Sequence, residues 1–160
     1  MQSSRFAVAV HIMTLAQIAC GEHAGELVTS EQMAGSVNTN PVVIRRIMGS
    51  LREAGLVVSQ PGPGGGWRLA RSPEGITLLD IYRAVEREPR LAFPARPPSD
   101  HCPIGSNMQR VLERHFHDAE LAMGATLGQV TMADIFTEVL DGRSLSEIEP
   151  PARRMPAAAR

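Results

Sequence analysis

Lysine is absent, so all 16 residues counted as Lys+Arg are arginines. This is a compositional bias from which no mechanism follows. Cysteine is scarce: Cys20 and Cys102 are the only two, and they lie far apart. A secreted disulfide framework needs more cysteines at closer spacing, so the reducing cytoplasm is the expected compartment. Long apolar runs are missing too. Phe6 to Cys20 follows Arg5 and ends in Ala-Cys-Gly, in the manner of a lipoprotein signal. His11, Thr14 and Gln17, however, recur every three residues as a polar stripe. Gln17 also stands where such a signal carries an aliphatic residue. An amphipathic helix fits better than a signal core. The run is short of the ~18 apolar residues of a membrane span, so no membrane partner is expected.

A chain of 160 residues is about one domain and can bury a sizeable core without metal or disulfide. The net charge of −1 does not decide for or against nucleic acid, but its distribution is informative. Between Pro41 and Ser72 there are five arginines and one acid, Glu53; between Glu113 and Glu149 there are eight acids and two arginines. A basic block beside an acidic one suggests a DNA-facing part and a part that faces elsewhere.

The pattern predicts a mainly α fold with a small β-wing. A first helix covers Ser3 to Cys20, and Gly21 to Leu27 is a loop. Thr29 with Gln32 makes a capping box for a second helix ending near Val37. After the turn Asn38-Thr39-Asn40, a third helix opens with Asn40 as N-cap and Pro41 at its first position. Ile44, Ile47, Met48 and Leu51 form its inward stripe, and Gly55 stops it. Leu56–Ser59 and Trp67–Ala70 read as strands around a tip, Pro61 to Gly66, made wholly of glycine and proline. A fourth helix starts at Thr77, with Asp80 in the reciprocal position and Leu78, Ile81 and Val85 inward, and ends by Pro89. Arg90 to Gly105 is a loop. A fifth helix covers Asn107 to Leu127, and a sixth starts at Thr131 with Asp134 three residues on and ends before Gly142.

A basic helix followed by a two-stranded wing is how a winged helix-turn-helix meets DNA, with the helix in a major groove and the wing on the adjacent backbone. The N-terminal part of the third helix then brings Thr39, Asn40, Val42, Val43 and Arg46 to base edges. Arg45 and Arg52 fall on phosphate. At the wing, Gly64, Gly65 and Gly66 allow close backbone approach and offer N–H groups, flanked by Gln60 and Arg68. Trp67 either stacks on a sugar or packs beneath the wing, the second being the expectation. No Gly-Lys-Ser/Thr follows the glycines, which excludes a nucleotide-binding P-loop. No Ser/His/Asp set or carboxylate pair stands out, so no enzyme is expected. His101, His115 and His117 with Cys102 and Asp118 are the available metal donors. His115 and His117 are two apart and face different sides of a helix, so no metal site is predicted.

From Val28 to Glu86 the chain resembles the Rrf2 type of transcriptional regulator. The resemblance rests on Val28-Thr29-Ser30-Glu31-Gln32-Met33-Ala34, on Leu51-Arg52-Glu53-Ala54-Gly55-Leu56-Val57-Val58-Ser59 and on Gly62-Pro63-Gly64-Gly65-Gly66-Trp67-Arg68-Leu69-Ala70. Ile76-Thr77-Leu78-Leu79-Asp80-Ile81 and Ala84-Val85-Glu86 extend it, and Gln129-Val130-Thr131-Met132-Ala133-Asp134 continues it more weakly. It implies a homodimeric bacterial regulator, usually a repressor, bound to a double-stranded operator, with Arg5 at a helix end near DNA. Many relatives hold an iron–sulfur cluster with three cysteines in the loop before the long helix. This chain has only Cys102 there, so no cofactor is expected.

The expected organisation is a DNA-binding unit over 1–88, a sensor loop over 89–106, dimerisation helices over 107–142 and a disordered tail over 143–160. Met108, Val111, Leu112, Phe116, Ala119, Met123 and Leu127 are the predicted dimer face. Cys102 lies next to His101, whose imidazolium would favour a thiolate, and is either an ordinary loop cysteine or a redox sensor. Cys20 is expected to be buried and inert. Metal or small-ligand sensing on the same fold, and a protein-binding winged helix that never touches DNA, are the alternative readings.

Overall fold

The computed structural model describes residues 4–18, 27–86, 91–96, 98–99 and 101–140. Cys20, the end of the fourth helix near Pro89 and the tail over 143–160 lie outside the described residues. The chain runs α1 (Arg5–Ile18), α2 (Ser30–Val37), α3 (Pro41–Glu53), β1 (Val57–Gln60), β2 (Gly66–Leu69), α4 (Leu78–Val85), α5 (Pro103–Gly128) and α6 (Met132–Leu140). A short 3-10 turn, Pro73–Gly75, lies between β2 and α4 and was not anticipated from the sequence.

Local chemistry accounts for the helix ends. Thr29 Oγ1 accepts from the Gln32 N–H at 3.2 Å, and Gln32 Oε1 accepts from the Thr29 N–H at 2.8 Å. Thr77 with Asp80 and Thr131 with Asp134 repeat that reciprocal box for α4 and α6. Backbone and hydroxyl donors of Thr131 hold the Asp134 carboxyl below its ordinary pKa. The turn between α2 and α3 closes because Asn38 adopts the left-handed conformation, at φ 57°. Gly55 does the same after α3, at φ 71°.

One core joins most elements. Ala9, Ile12, Met13 and Ala16 of α1 meet Met33 of α2, and Ile44, Ile47, Met48 and Leu51 of α3. Leu56, Val57 and Leu69 anchor the wing in the same cluster, and Ile76, Ile81 and Val85 close it. Leu78, expected inward, is half-buried against this core.

β1 and β2 are antiparallel with Val57 opposite Leu69 and Gln60 opposite Gly66, each one residue displaced from the predicted strands. A third segment flanks them: Val28 N–H donates to Trp67 O at 3.2 Å, and Trp67 N–H donates to Val28 O at 2.9 Å. Trp67 is half-buried and its Nε1 donates to Ser30 Oγ at 3.1 Å, so the indole packs beneath the wing.

Two elements depart from the sequence reading. α5 begins at Pro103 rather than Asn107, because Cys102 Sγ accepts from the Gly105 N–H at 3.4 Å and Pro103 occupies the first helical position. Sequence grouping sets α6 beside α5 as a dimer helix, yet Met132 is fully buried in the common core. A bridge between Thr77 and Thr131 ties α6 there, with Leu78 N–H donating to Val130 O at 2.9 Å and Met132 N–H donating to Ile76 O at 2.8 Å.

Candidate nucleic-acid interface

Burial of Ile44, Ile47, Met48, Ser50 and Leu51 fixes which side of α3 faces outward. Val42 is 48% exposed and Val43 41%, so two adjacent apolar side chains face outward from α3. Arg45, Arg46 and Arg52 are exposed with them. At about 100° per residue, Arg46 lies roughly 40° from Val42, while Arg52 lies roughly 20° from Arg45. The helix therefore has a front of Val42 and Arg46 and an edge of Arg45 and Arg52. Asn40 is exposed, but its Oδ1 accepts from the Val42 N–H at 2.8 Å. That oxygen caps the helix. Thr39 is half-buried.

Arg45 makes an ion pair with Glu31 of α2, both side chains being 54% exposed. Arg71 lies 3.5 Å from Asp80. Arg46, Arg52 and Arg68 have no acid at ion-pair distance among the described residues. Sequence reasoning missed Glu31 as a partner because the pair spans fourteen positions and two helices. Arg5 is exposed at the start of α1 and already has an interaction within the chain.

At the wing, Arg68 is opposite Val58 and Gln60 opposite Gly66, so Arg68 and Gln60 share the outer face and both are exposed. The three candidate glycines divide. Gly64, at φ 75°, is exposed at the tip. The Gly65 N–H donates to Gly62 O at 2.9 Å, and a Cβ on Gly65 would fall on the Gln60 carbonyl oxygen. A Cβ on Gly66 would lie 2.8 Å from Val28 O and 2.9 Å from Leu27 Cβ. The turn and the neighbouring segment thus require Gly65 and Gly66, and the Gly65 N–H is committed inside the turn.

α5 has 26 residues and none is buried. Of the predicted dimer face, Met108, Val111 and Ala119 are exposed, whereas Leu112, Phe116, Met123 and Leu127 are half-buried. Phe116 stacks on Phe93 of the preceding segment, with ring centroids 5.1 Å apart. Ile104 at 70% and Leu121 at 59% are exposed apolar residues that the sequence reading omits. Ile104 is one turn before Met108 and escapes notice when the helix is begun at Asn107. Between α4 and α5 lies a groove of about 650 Å³ lined in part by Leu79, Tyr82, Arg83, His117, Glu120 and Met123.

A helix with an apolar-and-arginine front, set at a turn from a capped partner helix and followed by a glycine-tipped hairpin, defines a winged helix-turn-helix transcriptional regulator. The chain belongs to the Rrf2 family, described as iron-dependent transcriptional regulators, whose pattern matches residues 2–138. It is 35% identical over 139 residues to YwnA of Bacillus subtilis, named as an HTH-type transcriptional regulator, covering 87% of this chain and 99% of that one. A solved protein described as DNA-binding is 35% identical, with a TM-score of 0.63 over 82% of this chain and 98% of its own. A solved transcriptional regulator from Lactobacillus plantarum is 26% identical, with a TM-score of 0.71 over 90% and 95% of the two chains.

The family description raises the question of iron. Cys102 is the one cysteine among the described residues, and its sulfur caps α5. No three His, Cys, Asp or Glu side chains converge among these residues to hold a metal ion. With two cysteines in the whole sequence, and only Cys102 in the loop before α5, the donors do not fit the three-cysteine cluster set that the resemblance implies.

The Arg45–Glu31 pair carries a testable consequence. If Arg45 meets a DNA phosphate, that phosphate competes with Glu31 for the guanidinium. Glu31→Gln is expected to strengthen binding to any duplex and to steepen the slope of log K against log salt by about 0.9, one additional phosphate contact. Titrations at several salt concentrations read this directly, and a weaker complex with an unchanged slope would mean that Glu31 orients Arg45 rather than competing for it.

Proposed function

We propose that this protein is a sequence-specific, homodimeric DNA-binding repressor acting in the bacterial cytoplasm without an iron–sulfur cluster. The observation that carries the reading is the exposed front of α3, where Val42 and Val43 stand beside an Arg46 that has no acid at ion-pair distance among the described residues. Valine methyls suit a thymine methyl, and arginine can bind guanine O6 and N7 together. Arg52 and Arg45 reach phosphate along the helix edge. Arg68, Gln60 and the Gly64 tip grip the adjacent backbone. Relatives named as an HTH-type regulator and as a DNA-binding protein support this assignment. No catalytic step is assigned to any residue.

A second copy is the natural cover for α5. A 26-residue helix with no buried residue and with Ile104, Met108 and Val111 exposed along one side is poorly satisfied alone. Symmetric pairing would set two recognition helices on half-sites about 10 base pairs apart. A second reading adds a redox input: Cys102 is exposed and its sulfur accepts the N-terminal hydrogen bond of this same helix. Oxidation there would alter the cap where the dimer helix begins.

Three outcomes are expected. Arg46→Ala should weaken binding to the preferred duplex by roughly 1–3 kcal/mol and relax the preference at one base position. Equal loss on scrambled duplex would reduce Arg46 to a phosphate contact, and no duplex preference in the unmodified protein would leave a protein-binding winged helix. Ile104→Asp should move the protein towards monomer in sedimentation equilibrium, since the side chain makes too little contact within its own chain to matter for folding. Cys102→Ser should abolish any loss of DNA binding caused by mild peroxide and restored by thiol; a response that persists would exclude Cys102 as its origin.

A further inference from the structure

We infer that Gly49 is a positioning residue of the recognition helix: its missing side chain lets DNA approach the backbone of α3 more closely than any other residue would allow. The inference rests on the DNA-binding reading above. Glycine is the poorest interior helix residue after proline, because it loses the most backbone freedom when ordered and exposes the backbone to water. A glycine retained there needs a reason. Two reasons are common within a chain, a left-handed backbone or a neighbour packed where the Cβ would be.

Neither applies to Gly49. It is absent from the positive-φ residues, and a Cβ built on it meets no heavy atom within 4 Å. Gly65, Gly66 and Gly105 differ, since in each case a Cβ would come within 3 Å of the chain's own atoms. The side of α3 on which Gly49 lies explains the difference. It follows Val42 by seven residues and Arg46 by three, so it falls roughly 20° from the first and 60° from the second. It is therefore on the outward front, away from Ile44, Ile47 and Leu51. Arg46 precedes it and Arg52 follows it, both exposed. The open space over Gly49 is thus bordered by two guanidinium groups, which suits a phosphodiester surface. Glu53, one turn on, is an acid that phosphate would avoid, so the close contact ends with Arg52.

The test has two readouts that a merely tolerated glycine would not separate. The duplex is one selected from a random-sequence pool by the unmodified full chain. Gly49→Ala should raise Tm by roughly 2–4 °C, because alanine favours the helix and clashes with nothing. The same variant should bind the selected duplex at least ten-fold more weakly, and Gly49→Leu more weakly still. A higher Tm with affinity unchanged within two-fold would overturn the inference while leaving DNA binding intact. A lower Tm would overturn it by revealing a need for glycine within the chain. If the unmodified protein selects no sequence from the pool, the DNA-binding reading itself fails, and Gly49 with it.

Discussion

The inner side of α3 is the constraint on which the rest depends. Ile44, Ile47, Met48 and Leu51 are all fully or almost fully buried, each contributing roughly 1.5–3 kcal/mol of apolar transfer. Their spacing leaves one rotation of the helix compatible with the core. That rotation sends Val42, Arg46 and Gly49 outward together. Position along the axis is set separately, by the Asn40 cap and Pro41 at one end and by left-handed Gly55 at the other. A helix fixed in rotation and in length can present a constant pattern to a groove, with little left to order on binding.

The wing is held to that helix by different means. Leu56, Val57 and Leu69 bury its base, while the Val28–Trp67 bridge and the Trp67–Ser30 hydrogen bond tie its side to the start of α2. α3 and the wing therefore share supports with α2 and are held together in one unit. Gly66 is what allows the Val28 segment to come so close, since any side chain would collide with it. A glycine-rich tip thus contains residues with opposite assignments, one open to the outside and two required by the fold.

Most of the architecture was readable because it is local. Capping boxes at Thr29, Thr77 and Thr131 involve partners three residues apart, and the α3 stripe repeats within its own helix. The family likewise follows from short contiguous motifs. What escaped is non-local or chemically unusual. The Arg45–Glu31 pair, the Val28 bridge and the burial of Met132 join residues whose proximity exists only after folding. The start of α5 was missed because cysteine is an uncommon cap, and that error concealed Ile104. Gly65 and Gly66 carried the right residue type for close approach, but the approach is by their own chain.

The bridge between Thr77 and Thr131 sets where α5 is attached. Its C-terminal end is fastened to the wing unit through α6, with Gly124 and Gly128 against Leu79, whereas its N-terminal turn lies at the other extreme of the helix. At 1.5 Å per residue the helix is a rod of about 39 Å, and a tilt of about 5° around the fastened end carries the other end through about 3 Å. If two such rods were clasped at their far ends, the relation would run in reverse. A small change in how the ends meet would swing each recognition helix across a groove edge, turning an event near Cys102 into a displacement measurable in base-pair steps.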